Sequence, residues 1–208
     1  MSEPDPHAIT RLEQLDALFG SVAAPSLRKE IDHIHPLYRH MIQASLFVVV
    51  ATAGPDGLDA SPRGDPAGFV AVEDERTLLL PERRGNNRVD SLRNLVVDPR
   101  IALLFLIPGV GEMLRVNGRA TISVDPALLA RFAVGGKPPR CVTVVCVERV
   151  YFQCARAVQR AGLWRPQPTD VGARVPSPGR ILDALTGGEV DAQNYDAALP
   201  ARQRETLY

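Results

Sequence analysis

The chain has 208 residues, 45% of them hydrophobic, with 24 basic and 24 acidic side chains that cancel to no formal net charge. That is ample apolar material for a packed core, while the neutral balance excludes a nucleic-acid or anionic-membrane surface maintained by bulk charge. The longest apolar runs, LFVVVATA and IALLFLI, fall well short of the roughly 18 residues of a membrane span, and no basic-then-apolar leader opens the chain, so a cytoplasmic globular protein is expected.

Residues 1–45 read as a helical extension packed on the rest. Ile9, Leu12, Leu15 and Leu18 recur at helical spacing in ITRLEQLDALFG, and HPLYRHMIQAS follows a polar break. From Leu46 the period changes to that of strands: LFVVVATA, a GPDG turn at 54–57, LDASPRGD, FVAVE and TLLLPE. Short turns between them imply antiparallel pairing. A short amphipathic helix is expected over about 88–96, with Val89, Leu92, Leu95 and Val96 as its apolar positions. RIALLFLI then reads as a strand buried on both faces. EMLRVNGRATISV alternates, placing Leu114, Val116, Ala120, Ile122 and Val124 on one face and Met113, Arg115, Asn117, Arg119 and Thr121 on the other.

A helix near PALLARF and a Gly/Pro connection, VGGKPPR, lead to CVTVVCVERVYFQCA, the last main strand. Six or so strands in this order suggest a small antiparallel barrel, mainly β with flanking helices, over residues 46–165. The tail, 166–208, is proline-rich, with a helix-compatible ILDALTGG and a weaker segment at DAQNYDAAL. It is expected to pack on the barrel or on a second subunit.

The familiar signatures are missing: no GxGxxG after a strand, no GxxxxGK[ST], no GxSxG. Cys141, Cys146 and Cys154 lack CxxC spacing and leave an odd count, so reduced, mostly buried thiols are expected rather than a disulfide framework or zinc site. His33, His35 and His40 cluster without HExxH-type spacing, and no metal site is assigned to them. Arg63-Gly64-Asp65 matches a cell-adhesion triplet, which a chain without a secretion signal has no use for.

One stretch carries chemistry. LPERRGNNRVDSLRNL, residues 80–95, sets three arginines and two asparagines ahead of the expected helix. Unpaired backbone N–H groups and partial positive charge at a helix start favour an anion, and Arg84 and Arg88 add guanidinium forks suited to phosphate oxygens. The bland alternative is a capped surface helix, with Asn87 as N-cap and Asp90 completing a capping box.

Three segments taken together resemble a known family. DASPRGD, LPERRGNNR and CARAVQRAGLW at 154–164, with the GVGE…LRVNGRA hairpin, are similar to the pyridoxamine 5′-phosphate oxidase-like FMN-binding split-barrel proteins, in particular their FMN-dependent enzyme branch. The resemblance spans roughly residues 35–170. It implies a split β-barrel and a homodimer with FMN in clefts built from both subunits. By this similarity Arg63 and Arg88 would contact the FMN phosphate, with Asn87 beside them and Arg84 adding charge. Ser61, Pro81 and Asn86 would line the ribityl and ring side. Met113 falls where the oxidases carry a glutamine near the flavin, leaving only backbone contact, and Arg160 and Trp164 would approach from the partner chain. The oxidases' substrate-binding set and C-terminal R-x-H segment have no match here, where the chain ends ARQRETLY.

The expected function is an FMN-dependent oxidoreductase passing hydride to or from the flavin, with an unassigned small-molecule substrate. Alternatives are a reductase using deazaflavin F420, a non-enzymatic flavin-binding or sensor module, and an interaction protein whose arginines pair across a dimer interface.

Overall fold

The computed structural model describes residues 5–166 and 170–208. Three helices lead in: α1 (Leu12–Phe19), α2 (Ala24–Arg28) and α3 (Pro36–Ala44). α1 buries no side chain, and its Leu12, Leu18 and Phe19 are exposed. Attachment to the sheet begins at Ile31, which exchanges two backbone hydrogen bonds with Val150, and continues with the buried Ile34 and Ile42. His35 caps α3, its Nδ1 accepting from Leu37 N at 3.2 Å.

The sheet elements are β1 (Phe47–Gly54), β2 (Gly57–Gly64), β3 (Ala71–Val72), β4 (Thr77–Pro81), β5 (Arg100–Leu106), β6 (Met113–Ser123) and β7 (Val142–Gln153). α4 (Asp90–Val97) lies between β4 and β5, and α5 (Pro126–Arg131) between β6 and β7. Every pairing is antiparallel, in the order β2-β1-β5-β6-β7-β4-β3. The seven strands make a split barrel that does not close: β2 is one edge, β3 and β4 the other.

The core follows the period of two. Val48 and Val50 of β1, Leu103 and Phe105 of β5, Leu114 and Val116 of β6, and Val145, Val147 and Val150 of β7 share one buried face, with Ile42 and Leu95 packed on it from α3 and α4. Burying each such side chain contributes about 1.5–3 kcal/mol. α4 is seated by a specific contact: Asn94 Nδ2 donates to Thr52 Oγ1 at 3.1 Å, and a Cβ on Gly54 would stand 2.0 Å from Asn94 Oδ1. A bulge interrupts the β6–β7 ladder between Asn117 and Gly118, where a Cβ on Gly118 would meet Cys146 O at 2.1 Å.

Four sequence expectations are corrected. β5 is not buried on both faces: Ile101, Leu103 and Phe105 are buried, whereas Ala102, Leu104 and Leu106 are half-buried, because the core covers only one side of the sheet. Val124 is 68% exposed, since β6 ends at Ser123 and the chain turns away. Only Cys141 of the three thiols is buried; Cys146 and Cys154 lie on outward positions of β7 and just past it. The DAQNYDAAL segment belongs to a full helix, α9 below.

After β7 come α6 (Arg156–Ala161), α7 (Val171–Arg174), α8 (Pro178–Leu185) and α9 (Ala192–Glu205). α8 and α9 pair through Asp196, which accepts from Ser177 Oγ and, at 2.8 Å, from Gly179 N. The last residue returns to the barrel: Tyr208 Oη donates to Asp65 Oδ1 at 2.5 Å.

Candidate cofactor site

β4 delivers the arginine-rich segment to the end of the sheet. Its pairing with β7 runs to Pro81 opposite Val142 and one step further, Glu82 N donating to Cys141 O at 3.0 Å. Beyond Arg83 the chain leaves the sheet and crosses to α4. Asn87 and Val89 on this crossing take positive φ, 62° and 52°, with Arg88 between them at negative φ. In this turn the middle N–H, that of Arg88, is taken by the Asn86 side chain. A β-branched residue in this region costs about 1–3 kcal/mol and is held there only by its surroundings.

The helix start differs from the sequence expectation. Asn87 is not the N-cap: α4 begins at Asp90, the cap position falls to Val89, and no side chain caps it. Asn86 Oδ1 instead accepts from Arg88 N at 3.1 Å. Asp90 pairs with Arg88 Nε at 2.8 Å, and this hydrogen bond, followed by the carboxylate's charge, pushes the Arg88 pKa up. The left-handed turns at 87 and 89 move the asparagine out of reach of the first helical N–H groups.

The crossing walls a cavity of about 510 Å³. β2 provides Ser61 and Arg63, the crossing provides Arg83, Arg84 and Asn86 to Arg88, and the approach to β7 provides Arg140 and Cys141. Ser61 is held in place by Asp59, whose Oδ2 accepts from Ser61 Oγ at 3.0 Å and from the buried Ser91 Oγ of α4 at 2.7 Å. Burial, and then the Glu82 charge, push the Cys141 thiol pKa up.

Two ion pairs cross the split of the barrel beside this cavity. Arg63 Nε donates to Glu82 Oε2 at 2.8 Å, and Arg83 Nε to Asp65 Oδ2 at 2.8 Å. The pairing is reciprocal: the strand edge bearing β2 gives one cation and one anion, and the end of β4 gives the complement. Glu82 is only 8% exposed, and its other oxygen accepts from Thr143 Oγ1, fully buried on β7, at 3.0 Å. Arg83 also donates to Phe132 O at 2.7 Å and lies 5.7 Å from the Tyr208 ring centroid. Arg63-Gly64-Asp65 is thus half of an internal charge clasp that joins the two edges of an open sheet.

Of the residues singled out in the sequence, Ser61, Arg63, Pro81, Arg84, Asn86, Asn87 and Arg88 line this one cavity. Met113, Arg160 and Trp164 do not. Met113 pairs with Gln153, Arg160 is exposed on α6, and Trp164 Nε1 donates to Val110 O at 2.7 Å. Sequence reasoning missed Asp59, Asp65, Glu82, Arg83, Arg140, Cys141 and Thr143. Glu82 and Arg83 stood within the quoted motif, but their partners follow from strand order rather than from spacing. Among the described residues no group of three or more His, Cys, Asp or Glu side chains is placed to hold a metal ion, and no helix is long and apolar enough to cross a membrane.

A family model described as pyridoxamine 5′-phosphate oxidase matches residues 34–154, more than half of the chain. The chain therefore belongs to the pyridoxamine 5′-phosphate oxidase family. The matched segment begins at the first residue buried in the barrel and ends just after β7, so it takes in the whole sheet and the cavity. Similar solved structures include HupZ of Group A Streptococcus, 20% identical over 58% of this chain and 94% of that one with a TM-score of 0.47. General stress protein 26 of Bacillus anthracis is 16% identical over 54% and 88% with a TM-score of 0.40. An FAD-binding protein of Mesorhizobium loti is 16% identical over 58% and 94% with a TM-score of 0.39. No curated protein matches the chain.

Proposed function

We propose that this protein is an FMN-dependent oxidoreductase acting on a small molecule. The observation that carries the reading is the convergence of Arg63, Arg84 and Arg88 with Asn86 and Asn87 on one cavity. The donor set fits a phosphate: guanidinium forks from a strand and a loop, and two amides. The two carboxylates in the lining, Glu82 and Asp90, are each paired with an arginine and so do not oppose an incoming anion. A volume of about 510 Å³ is within the range of small-molecule and cofactor sites.

Bound FMN would supply the hydride chemistry; the chain's residues bind and orient it. Arg84 would bring unpaired positive charge to the phosphate, Arg63 and Arg88, each already facing a carboxylate, would contact it through their remaining guanidinium N–H groups, Asn86 and Asn87 would donate to it or to the ribityl chain, and Ser61, fixed by Asp59, and the buried Pro81 would border the remainder. The reading includes a homodimer. Outward positions of β2, β1 and β5, among them Val49, Ala51, Ala60 and Leu104, form an apolar sheet face, and on the adjoining β6 the buried Asn117 Oδ1 has no hydrogen-bond partner among the described residues. Burying that face against a second copy would let Met113, Arg160 and Trp164 serve a site they do not reach within their own chain. The helical extension and the tail would then be appendages of one barrel domain.

The test is the visible spectrum of the purified protein and the mass of any chromophore it releases, with FMN and F420 titrated into colourless protein. FMN release or uptake, weakened in Arg88→Ala, supports the reading. F420 in its place would move the protein to the deazaflavin reductases. Protein that neither carries nor binds either cofactor sinks the assignment.

A further inference from the structure

We propose that the segment bearing α8 and α9 is a strap that holds the cavity shut: its Tyr208 completes the Arg83–Asp65 pair of the clasp, and release of Tyr208 opens the cavity to ligand exchange. The strap rests on the cavity and the clasp alone. The FMN reading enters only as the identity of what is retained.

The two ion pairs of the clasp are built alike but completed differently. Each carboxylate accepts from one guanidinium and one hydroxyl. For Glu82 these are Arg63 and Thr143, both on strands of the sheet. For Asp65 they are Arg83 at 2.8 Å and, 143 residues along the chain, Tyr208 at 2.5 Å. With both oxygens engaged the Asp65 side chain is only 4% exposed, and the Tyr208 ring stands over Arg83, its centroid 5.7 Å from the guanidinium carbon. Tyr208 thereby keeps water from this pair, and an ion pair open to water holds little. Arg83 in turn lines the cavity, directly before Arg84 and the crossing. What Tyr208 does to the pair therefore reaches the cavity wall.

The strap is lightly held. α9 buries no side chain, and Gly179, the buried residue of α8, faces Asp196 and Ala192 of α9 rather than the sheet. Among the described residues the hydrogen bonds from residues 175–208 to the barrel domain are both at Tyr208: its hydroxyl donates to Asp65, and its carbonyl oxygen accepts from Lys137 Nζ at 3.2 Å. Lys137 closes a tight turn with Val134, their backbones exchanging two hydrogen bonds at 3.0 Å, just ahead of Arg140 and Cys141 in the cavity lining. One residue thus ties the edge that bears Asp65, the end of β4 that bears Arg83, and the connection that leads into β7. A segment with so few buried contacts opens locally at low free energy, and the parts it ties are loosened with it.

The experiment compares wild type, Tyr208→Phe, Tyr208→Ala and a neighbouring control, Leu207→Ala, whose side chain is 62% exposed. In flavin-free protein the reporter is Cys141, a buried thiol of the cavity lining, alkylated with iodoacetamide and read by peptide mapping. Tyr208→Ala should speed Cys141 about tenfold or more, Tyr208→Phe, which keeps the ring over Arg83, should fall between, and Leu207→Ala should stay within about twofold of wild type. Urea unfolding of the same proteins sets the share due to global destabilisation, and the acceleration should exceed it, as a local opening requires. In the second arm FMN binding and release are followed by stopped-flow fluorescence. A strap raises both rates together in Tyr208→Ala, by about tenfold, and leaves Kd within about threefold, whereas a residue that only contacts the ligand raises the release rate alone. Should wild type take up no flavin, the FMN reading fails by itself and the Cys141 arm decides the strap. Cys141 reacting equally fast in wild type and Tyr208→Ala, an acceleration no larger than the lost global stability explains, or FMN rates that stay unmoved or move in release alone each overturn the proposal.

Discussion

Replacing Glu82 with alanine should be among the most damaging single changes at the cavity, and the structure allows the size to be worked out. The carboxylate is 8% exposed and has two engaged oxygens, one toward Arg63 Nε at 2.8 Å and one toward Thr143 Oγ1 at 3.0 Å. Removing it strands a guanidinium whose side chain is 21% exposed, and a hydroxyl that is fully buried. Breaking a buried pair from one side costs about 3–5 kcal/mol, and the partial access of water to Arg63 places this case near the lower end. An orphaned hydroxyl costs about 1–3 kcal/mol, reduced where it can rotate to another acceptor. Together Glu82→Ala should lose about 4 kcal/mol. Glu82→Gln, which keeps an acceptor for Arg63, should lose about half of that.

Urea unfolding of the wild type, Glu82→Ala, Arg63→Ala and the double variant gives the numbers. Because each single change leaves the other charge buried, the double variant should be well short of additive, by at least about 1 kcal/mol. Additivity within about 0.5 kcal/mol would refute the claim that this pair links the two edges of the sheet.

Gly118→Ala should destabilise by about 1–3 kcal/mol, because its Cβ would meet the Cys146 carbonyl oxygen at 2.1 Å and the bulge has no other way to close; thermal unfolding reads the loss, and an unchanged Tm would contradict the packing. Cys146 and Cys154 should be alkylated by iodoacetamide well before Cys141 in peptide mapping. Cys141 is buried, with its pKa raised first by burial and then by Glu82, so raising the pH from 7 to 9 should speed its reaction without reversing the order, and added FMN should slow it further. Cys141 reacting first would mean that the cavity wall is open.

Much of the fold was legible because strand period and turn chemistry are local. The alternation Leu114, Val116, Ala120 and the GPDG turn at 54–57 marked β6 and the β1–β2 hairpin, and the run TLLLP is β4 itself. Seven of the ten residues proposed for the cofactor line one cavity because they lie on two short segments, each carried by a strand end. What failed locally failed for local reasons: Asn87 looks like a cap in sequence, and only its φ of 62° shows the turn that takes it out of that role.

By itself the sequence determined the strands, the arginine-rich crossing and the resemblance that points to a flavin, since each is written in residues close together in the chain. Only the tertiary structure decided which charges meet. Arg63 and Glu82 are 19 residues apart, Asp65 and Tyr208 are 143 apart, and Arg140 comes to the same cavity from another loop. Their pairing depends on a sheet that runs β2-β1-β5-β6-β7-β4-β3 and stays open between its two edges. Spacing along a chain sets what one element can do, whereas the free energy of a buried ion pair depends on distances across space, which strand order fixes.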